Sequence, residues 1–88
     1  MHYVYCLENA EKQYLYIGST NQLKQRIEKH KKGECKATKP YMPLILTAYV
    51  AVNSESKARK LEAYFKTGSG KAILKKRILQ NEVTRSGT

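Results

Sequence analysis

Tyr3-Val4-Tyr5-Cys6-Leu7 and Tyr14-Leu15-Tyr16-Ile17-Gly18 decide the fold of this 88-residue chain. Both stretches alternate and are rich in Tyr, Val and Ile, and Asn9-Ala10-Glu11-Lys12 between them reads as a turn. The pattern predicts a β-hairpin, with strands over about His2 to Leu7 and Tyr14 to Gly18. Pairing Glu8 with Gln13 sets Tyr5 across from Tyr16 and Tyr3 across from Gly18. Opposed side chains share a sheet face, with Cβ atoms about 4.5–5.5 Å apart. Two phenols therefore meet on one surface, beside a glycine that allows close approach to the backbone.

Working outward, Thr20 or Asn21 can cap a helix that runs to about Lys32, where Gly33 stands as a C′ residue. Leu23 and Ile27 form its apolar stripe, with Arg26 and His30 at i, i+4 on its shoulder. Glu34 to Pro43 reads as a loop or broken helix whose Lys36, Thr38 and Lys39 can line a phosphate groove. Leu44 to Val52 is apolar and β-branched, which predicts a third strand with both faces largely covered. Ser54 or Ser56 can start the next helix, which carries Ala58, Leu61 and Phe65 on one face. Glu62 sits at the edge of that face, either paired with Lys66 at i+4 or used as a ligand.

Lys66-Thr67-Gly68-Ser69-Gly70-Lys71 only superficially resembles a phosphate loop. Ala72 stands where that motif needs Ser or Thr, and a helix, not a strand, precedes it. The glycines are expected to end one helix, with Ser69 capping a basic one that ends near Leu79. Residues 1–80 form the expected domain and 81–88 a polar tail.

Seventeen Lys and Arg against seven Asp and Glu leave a net charge of +10. So basic a chain expects a polyanion: nucleic acid, an acidic membrane surface or structural RNA. No apolar run approaches the roughly 20 residues of a membrane span. No signal-peptide pattern opens the sequence, so an intracellular protein is expected. Cys6 and Cys35 are too few for a disulfide framework.

The two tyrosine triplets, Arg26, His30 and Glu62 stand in an order and spacing that resemble the GIY-YIG endonuclease family, in particular its small stand-alone members. Tyr16-Ile17-Gly18 matches the second triplet letter for letter; Tyr3-Val4-Tyr5 departs from Gly-Ile-Tyr at its first position. The likeness runs from about Tyr3 to about Ile78. It implies a small α/β domain, a three-stranded antiparallel sheet flanked by helices. It also implies a metal-dependent nuclease leaving 5′-phosphate and 3′-hydroxyl ends, in DNA repair or recombination.

Under that resemblance Tyr5, Tyr16, Arg26, His30 and Glu62 are the catalytic residues. Glu62 is the single protein ligand of one Mg²⁺ or Mn²⁺, a mode that Mg²⁺ accepts when phosphate and water complete its shell. Arg26 forks onto phosphate oxygens. Tyr5 is the first choice for general base, with His30 as its hydrogen-bond partner and Tyr16 as orienting phenol. Nearby cations favour the phenolate this requires.

Gly18, Ser19, Lys24, Lys36, Lys39, Lys71 and Lys75 are the expected nucleic-acid contacts. Ser19 stands where some relatives have Lys, and no downstream Asn of the family's kind can be placed: Asn53 precedes Glu62 and Asn81 falls in the tail. With no recognition domain in sight, the partner is DNA, branched or single-stranded forms included, or DNA plus a protein that confers specificity. The rival functions are a non-cutting binding module of the same fold and a small basic RNA-associated protein.

Overall fold

The computed structural model describes residues 1–79 apart from Lys12, so the expected tail over 81–88 and the domain boundary at 80 lie outside the described residues. The elements run β1 (His2–Asn9), β2 (Tyr14–Thr20), α1 (Leu23–Lys31), a 3-10 turn (Lys39–Tyr41), β3 (Ile45–Val52), α2 (Glu55–Phe65) and α3 (Gly68–Leu74), with a π-helical turn over Lys75–Leu79. The three strands form one antiparallel sheet in the order β2-β1-β3, as the sequence predicts.

The sheet is a partition between two apolar clusters. Val4, Cys6 and Ile17 point one way, onto Ala58 and Phe65 of α2 and Leu74 of α3. Tyr5 and Leu7 point the other way, with Ile27 of α1 and Leu44. This is the period-two alternation of a strand used on both faces. β1 is therefore the doubly covered strand, and the expectation that β3 is covered on both faces is corrected. β3 lies at an edge and alternates between exposed and half-buried residues. Ile45 and Tyr49 are 66% and 55% exposed.

The hairpin forms, but two residues out of the expected register. Tyr5 faces Gly18, Tyr3 faces Thr20 and Leu7 faces Tyr16. The turn is displaced by one residue: Ala10, Glu11 and Gln13 are turn residues, and the Gln13 N–H donates to the Ala10 carbonyl at 3.2 Å. The cause lies outside the hairpin. The Asn9 amide donates to the Tyr41 carbonyl at 2.8 Å, and Tyr14 stacks on Tyr41 with ring centroids 3.8 Å apart. These contacts draw Asn9 and Tyr14 into the ladder as its last pair. A two-residue shift keeps every side chain on its expected face, whereas a one-residue slip would have reversed them all.

Helix ends follow local chemistry. Gly33 has φ +75°, its N–H donates to the His30 carbonyl, and the Glu34 N–H donates to the Lys29 carbonyl. That pair of bonds is a Schellman closure, which favours glycine at the left-handed position. At the other end Gln22 precedes α1 without a side-chain cap; Thr20 Oγ1 instead accepts the Gln22 N–H at 3.0 Å. Ser54 caps α2 by accepting the Lys57 N–H. Thr67, not Ser69, caps α3 by accepting the Gly70 N–H at 3.0 Å. Both cysteines are free, and burial pushes the Cys6 thiol up to about 11. Among the described residues no helix is long and apolar enough to cross a membrane.

Candidate active site

Gly18 is the floor on which the tyrosine pair rests. A Cβ there would stand 2.7 Å from the Tyr5 hydroxyl oxygen and 2.9 Å from Cε2 of Tyr16. Neither ring tip could then stay in place. The rings are diagonal neighbours on the α1 face of the sheet, centroids 6.1 Å apart.

His30 closes over them from the last turn of α1, 5.7 Å from the Tyr5 ring and 5.2 Å from the Tyr16 ring. Its two nitrogens are both engaged: Nε2 with the Tyr5 hydroxyl at 2.9 Å, Nδ1 with Thr38 Oγ1 at 2.8 Å. Thr38 donates its own proton to the Cys35 carbonyl at 3.4 Å. It must then accept from Nδ1–H, which leaves the Nε2 lone pair to accept from Tyr5. The directions along Tyr5, His30, Thr38 and Cys35 are thus fixed by one hydroxyl. All three side chains are sealed from solvent, with Tyr5 and Thr38 0% and His30 1% exposed. Thr38 is accordingly not part of a phosphate groove, which corrects the sequence reading. It orients the histidine instead.

Burial governs the ionisation of this group. It pushes the Tyr5 phenol well above the ordinary tyrosine range; the neighbouring Tyr16 adds to the rise and the Arg26 guanidinium opposes it. Burial first, then the charge of Arg26, holds His30 below its ordinary 6.5. His30 is therefore a neutral imidazole at pH 7, with its Nε2 lone pair turned to the Tyr5 hydroxyl.

Glu62 approaches from the opposite layer. Alternation along β2 turns Ser19 away from Gly18 toward α2, where its hydroxyl donates to Glu62 Oε1 at 2.6 Å. Lys66 donates to Oε2 at 2.8 Å, so the i+4 pair read from sequence also forms. Burial works against ionisation of Glu62. The Lys66 bond, the Ser19 bond and the charges of Lys66 and Arg59 outweigh it and hold the carboxyl below its ordinary range.

The two halves meet at the end of β2. A cleft of about 230 Å³ is lined by His2, Ser19, Thr20, Asn21, Arg26, Glu55 and Arg59. Arg26 thus stands beside Tyr5 on one side and shares a cleft with the hydroxyl that holds Glu62 on the other. Arg59 was not singled out from sequence. It lies three residues before Glu62 on the same helix face, the one signal that could have marked it among seventeen basic residues. It also pairs with Glu55 at i−4.

The expected nucleic-acid contacts divide. Gly18 is buried under the two rings, and Ser19 is committed to Glu62. Lys24, Lys36, Lys39, Lys71 and Lys75 are exposed. Lys24 lies at the start of α1 beside the site. Lys75 instead lines a cleft with Glu8, Tyr14 and Leu15 at the hairpin end, where β2 begins rather than where it meets Arg26.

The donor chemistry fits a hard divalent cation. Among the described residues no three His, Cys, Asp or Glu side chains group into a ready-made metal cage. A cation here would rest on Glu62 with phosphate and water, which suits Mg²⁺. The carboxylate is ionised, and with one hydrogen bond on each oxygen it keeps lone pairs to offer.

Residues 1–77 match the GIY-YIG catalytic domain. The chain is 40% identical over 65 residues to UPF0213 proteins of Streptococcus pyogenes serotypes M5, M2 and M28, an alignment that covers 73% of this chain and 70% of each relative. No solved structure matches it.

Proposed function

The chain belongs to the GIY-YIG family, whose catalytic domain is a nuclease domain, and on that premise we propose that it is a divalent-metal-dependent endonuclease hydrolysing DNA phosphodiester bonds inside the cell. The observation that carries this reading is the junction at the end of β2, where Arg26 adjoins both the tyrosine pair and the Ser19–Glu62 unit.

The cleft of Arg26 and Arg59 is where a scissile phosphate is received. Arg26 is exposed, and beside its interaction with Tyr5 its guanidinium can fork onto phosphate oxygens, stabilising charge as it builds on them. Arg59 adds a second positive charge from the facing helix. Mg²⁺ or Mn²⁺ held by Glu62 supplies Lewis-acid charge at the phosphate when bound.

Tyr5 is assigned as base. Burial raises Tyr5 and lowers His30, so the cations do not make Tyr5 a phenolate in the resting site. Its proton passes to His30 Nε2, along the hydrogen bond already made, only in concert with water attack, with Arg26 offsetting part of the cost. In the same step the Tyr5 oxygen takes a proton from the attacking water, which has to enter past Tyr16 because Tyr5 is itself sealed in the resting site. Tyr16, half-buried next to it, orients the water from the solvent side. Proton transfer of this kind contributes typically about 10²–10⁴ in rate. Cleavage leaves a 5′-phosphate and a 3′-hydroxyl.

One observation favours the second reading, a binding module that does not cut: both Glu62 oxygens are already hydrogen-bonded. Plasmid, branched and single-stranded DNA incubated with the protein in Mg²⁺, Mn²⁺ or EDTA separates the two. The nuclease reading expects metal-dependent cleavage that EDTA abolishes. Absence of cleavage on every DNA form in either metal, with binding retained, establishes the binding module.

A further inference from the structure

Beside the phosphate cleft lies a larger groove of about 490 Å³ that the proposed chemistry does not use. Its walls are Tyr3 and Tyr49 from the sheet, and Leu23, Lys24 and Gln25 with Asn21 from the start of α1. Tyr3 and Tyr49 are an edge-to-face pair with centroids 6.0 Å apart. The register explains their meeting: Tyr49 faces Tyr5 across the β1–β3 ladder, so it stands diagonal to Tyr3 on the same sheet face. Single exposed aromatics are ordinary on a protein surface. A half-buried tyrosine and a 55% exposed one on the wall of one open groove are a different arrangement, a stacking platform rather than an enclosed pocket.

The surroundings select the occupant. Lys24 puts an ammonium on the groove wall, and Asn21 and Gln25 offer amide donors and acceptors. Asn21, Gln22 and Gln25 also line the next cleft, whose other walls include Arg26 and Lys29. An aromatic wall, an amide edge and a line of cations running to Arg26 match a nucleotide: π-face, hydrogen-bonding edge and phosphate.

We propose that the Tyr3–Tyr49 groove is a base-stacking subsite that takes one unpaired nucleobase of the strand whose phosphate lies at Arg26, and so directs this protein to single-stranded DNA or to unpaired segments within a duplex. The proposal rests on the nuclease reading only for where the phosphate lies. Bases inside a paired duplex are stacked on their neighbours and have no free face to give; an unpaired one does. Tyr49 supplies the open ring face, Tyr3 holds that ring by its edge, and Lys24 takes a flanking phosphate.

The test measures binding in EDTA, so that cleavage plays no part. Fluorescein-labelled probes are titrated at one fixed salt concentration: an oligo-dT strand, a duplex of equal length, and a strand of equal length made of abasic residues. Wild type is expected to bind oligo-dT more tightly than the abasic strand. Tyr49→Ala should lose about tenfold on oligo-dT, the worth of one stacked base, and nothing on the duplex or the abasic strand. Tyr49→Phe should bind as wild type, since the ring and not the hydroxyl does the stacking. Circular dichroism confirms folding of both variants, and the exposed position makes Tyr49→Phe a mild change. Equal loss on all three probes, or no loss on oligo-dT, overturns the subsite. Metal-dependent nicking without a Tyr49 effect removes this inference and leaves the nuclease reading. The Tyr49 effect without nicking does the reverse.

Discussion

On the α1 side of the sheet, Tyr5, His30 and Thr38 are sealed from solvent and joined by hydrogen bonds between neutral groups. On the α2 side, Glu62 is part-exposed and held by a hydroxyl and an ammonium, Lys66 itself reaching into solvent. The dry half has every polar atom matched, and each member fixes the next. The wet half is an ion pair with room to exchange partners. In a dry network, deletion of one member leaves a buried group unpaired, at about 1–3 kcal/mol. In the wet half, water replaces a lost partner, and a part-exposed ion pair is worth only about 0.2–1 kcal/mol. Stability and catalysis should therefore be inseparable on one side of β2 and separable on the other.

The largest effect is expected from Glu62→Gln. The amide keeps the shape and loses the charge that holds a cation, so metal-dependent nicking should fall about a thousandfold. The urea midpoint should barely move. A large loss of stability would show that the wet half is structural after all.

Tyr5→Phe should lower nicking by about a hundredfold or more, since it removes the assigned base. Unlike Glu62→Gln it should also cost about 1–3 kcal/mol, because His30 Nε2 loses its donor in a buried site. Urea unfolding of the same preparation used for kinetics checks both. Activity lost with stability intact would break the contrast between the halves.

Thr38→Val sharpens it. Valine has the same shape but cannot accept from His30 Nδ1, so about 1–3 kcal/mol of stability should go. His30 should then titrate differently by NMR, as its preferred tautomer is no longer fixed. A variant as stable as wild type would mean that Thr38 does not orient the ring.

The smallest effect is in the acid limb of stability. The His30 pKa is lowered in the folded state, so its contribution is complete above its ordinary 6.5 and is lost as pH falls below that. There the unfolded chain takes up the proton more readily. Glu62 is lowered as well and adds a second loss of the same sign below its ordinary 4.5. Urea midpoints should decline in two stages from pH 7.5 to 3.5, and His30→Gln should remove the first. A flat profile between pH 7.5 and 5 would contradict the buried neutral imidazole.

The sequence carries the dry half better than the wet one. Tyr5, Tyr16 and Gly18 can be placed on one face by alternation alone, and that face survives a wrong register because the error is even. The register itself is not local. It depends on Asn9 and Tyr14 meeting Tyr41, some thirty residues away in the chain. Thr38 reads as one hydroxyl in a lysine-rich loop, and only the turn back over His30 gives it a role. Ser19 reads as a phosphate contact because it follows Gly18, yet alternation turns it to the other layer, where Glu62 waits. Arg59 is hidden among many cations. The open face of β3 is also illegible, since an apolar run looks the same on a central strand and an edge strand.

The central claim is that the two halves act on one phosphate. A double-mutant cycle in plasmid nicking tests it most directly, with wild type, Tyr16→Phe, Glu62→Gln and the double variant compared at matched concentration in Mg²⁺. Groups that serve a single transition state are strongly non-additive. The double variant should be no slower than Glu62→Gln alone. Losses that multiply would contradict a shared site and place the tyrosines and the carboxylate in separate roles.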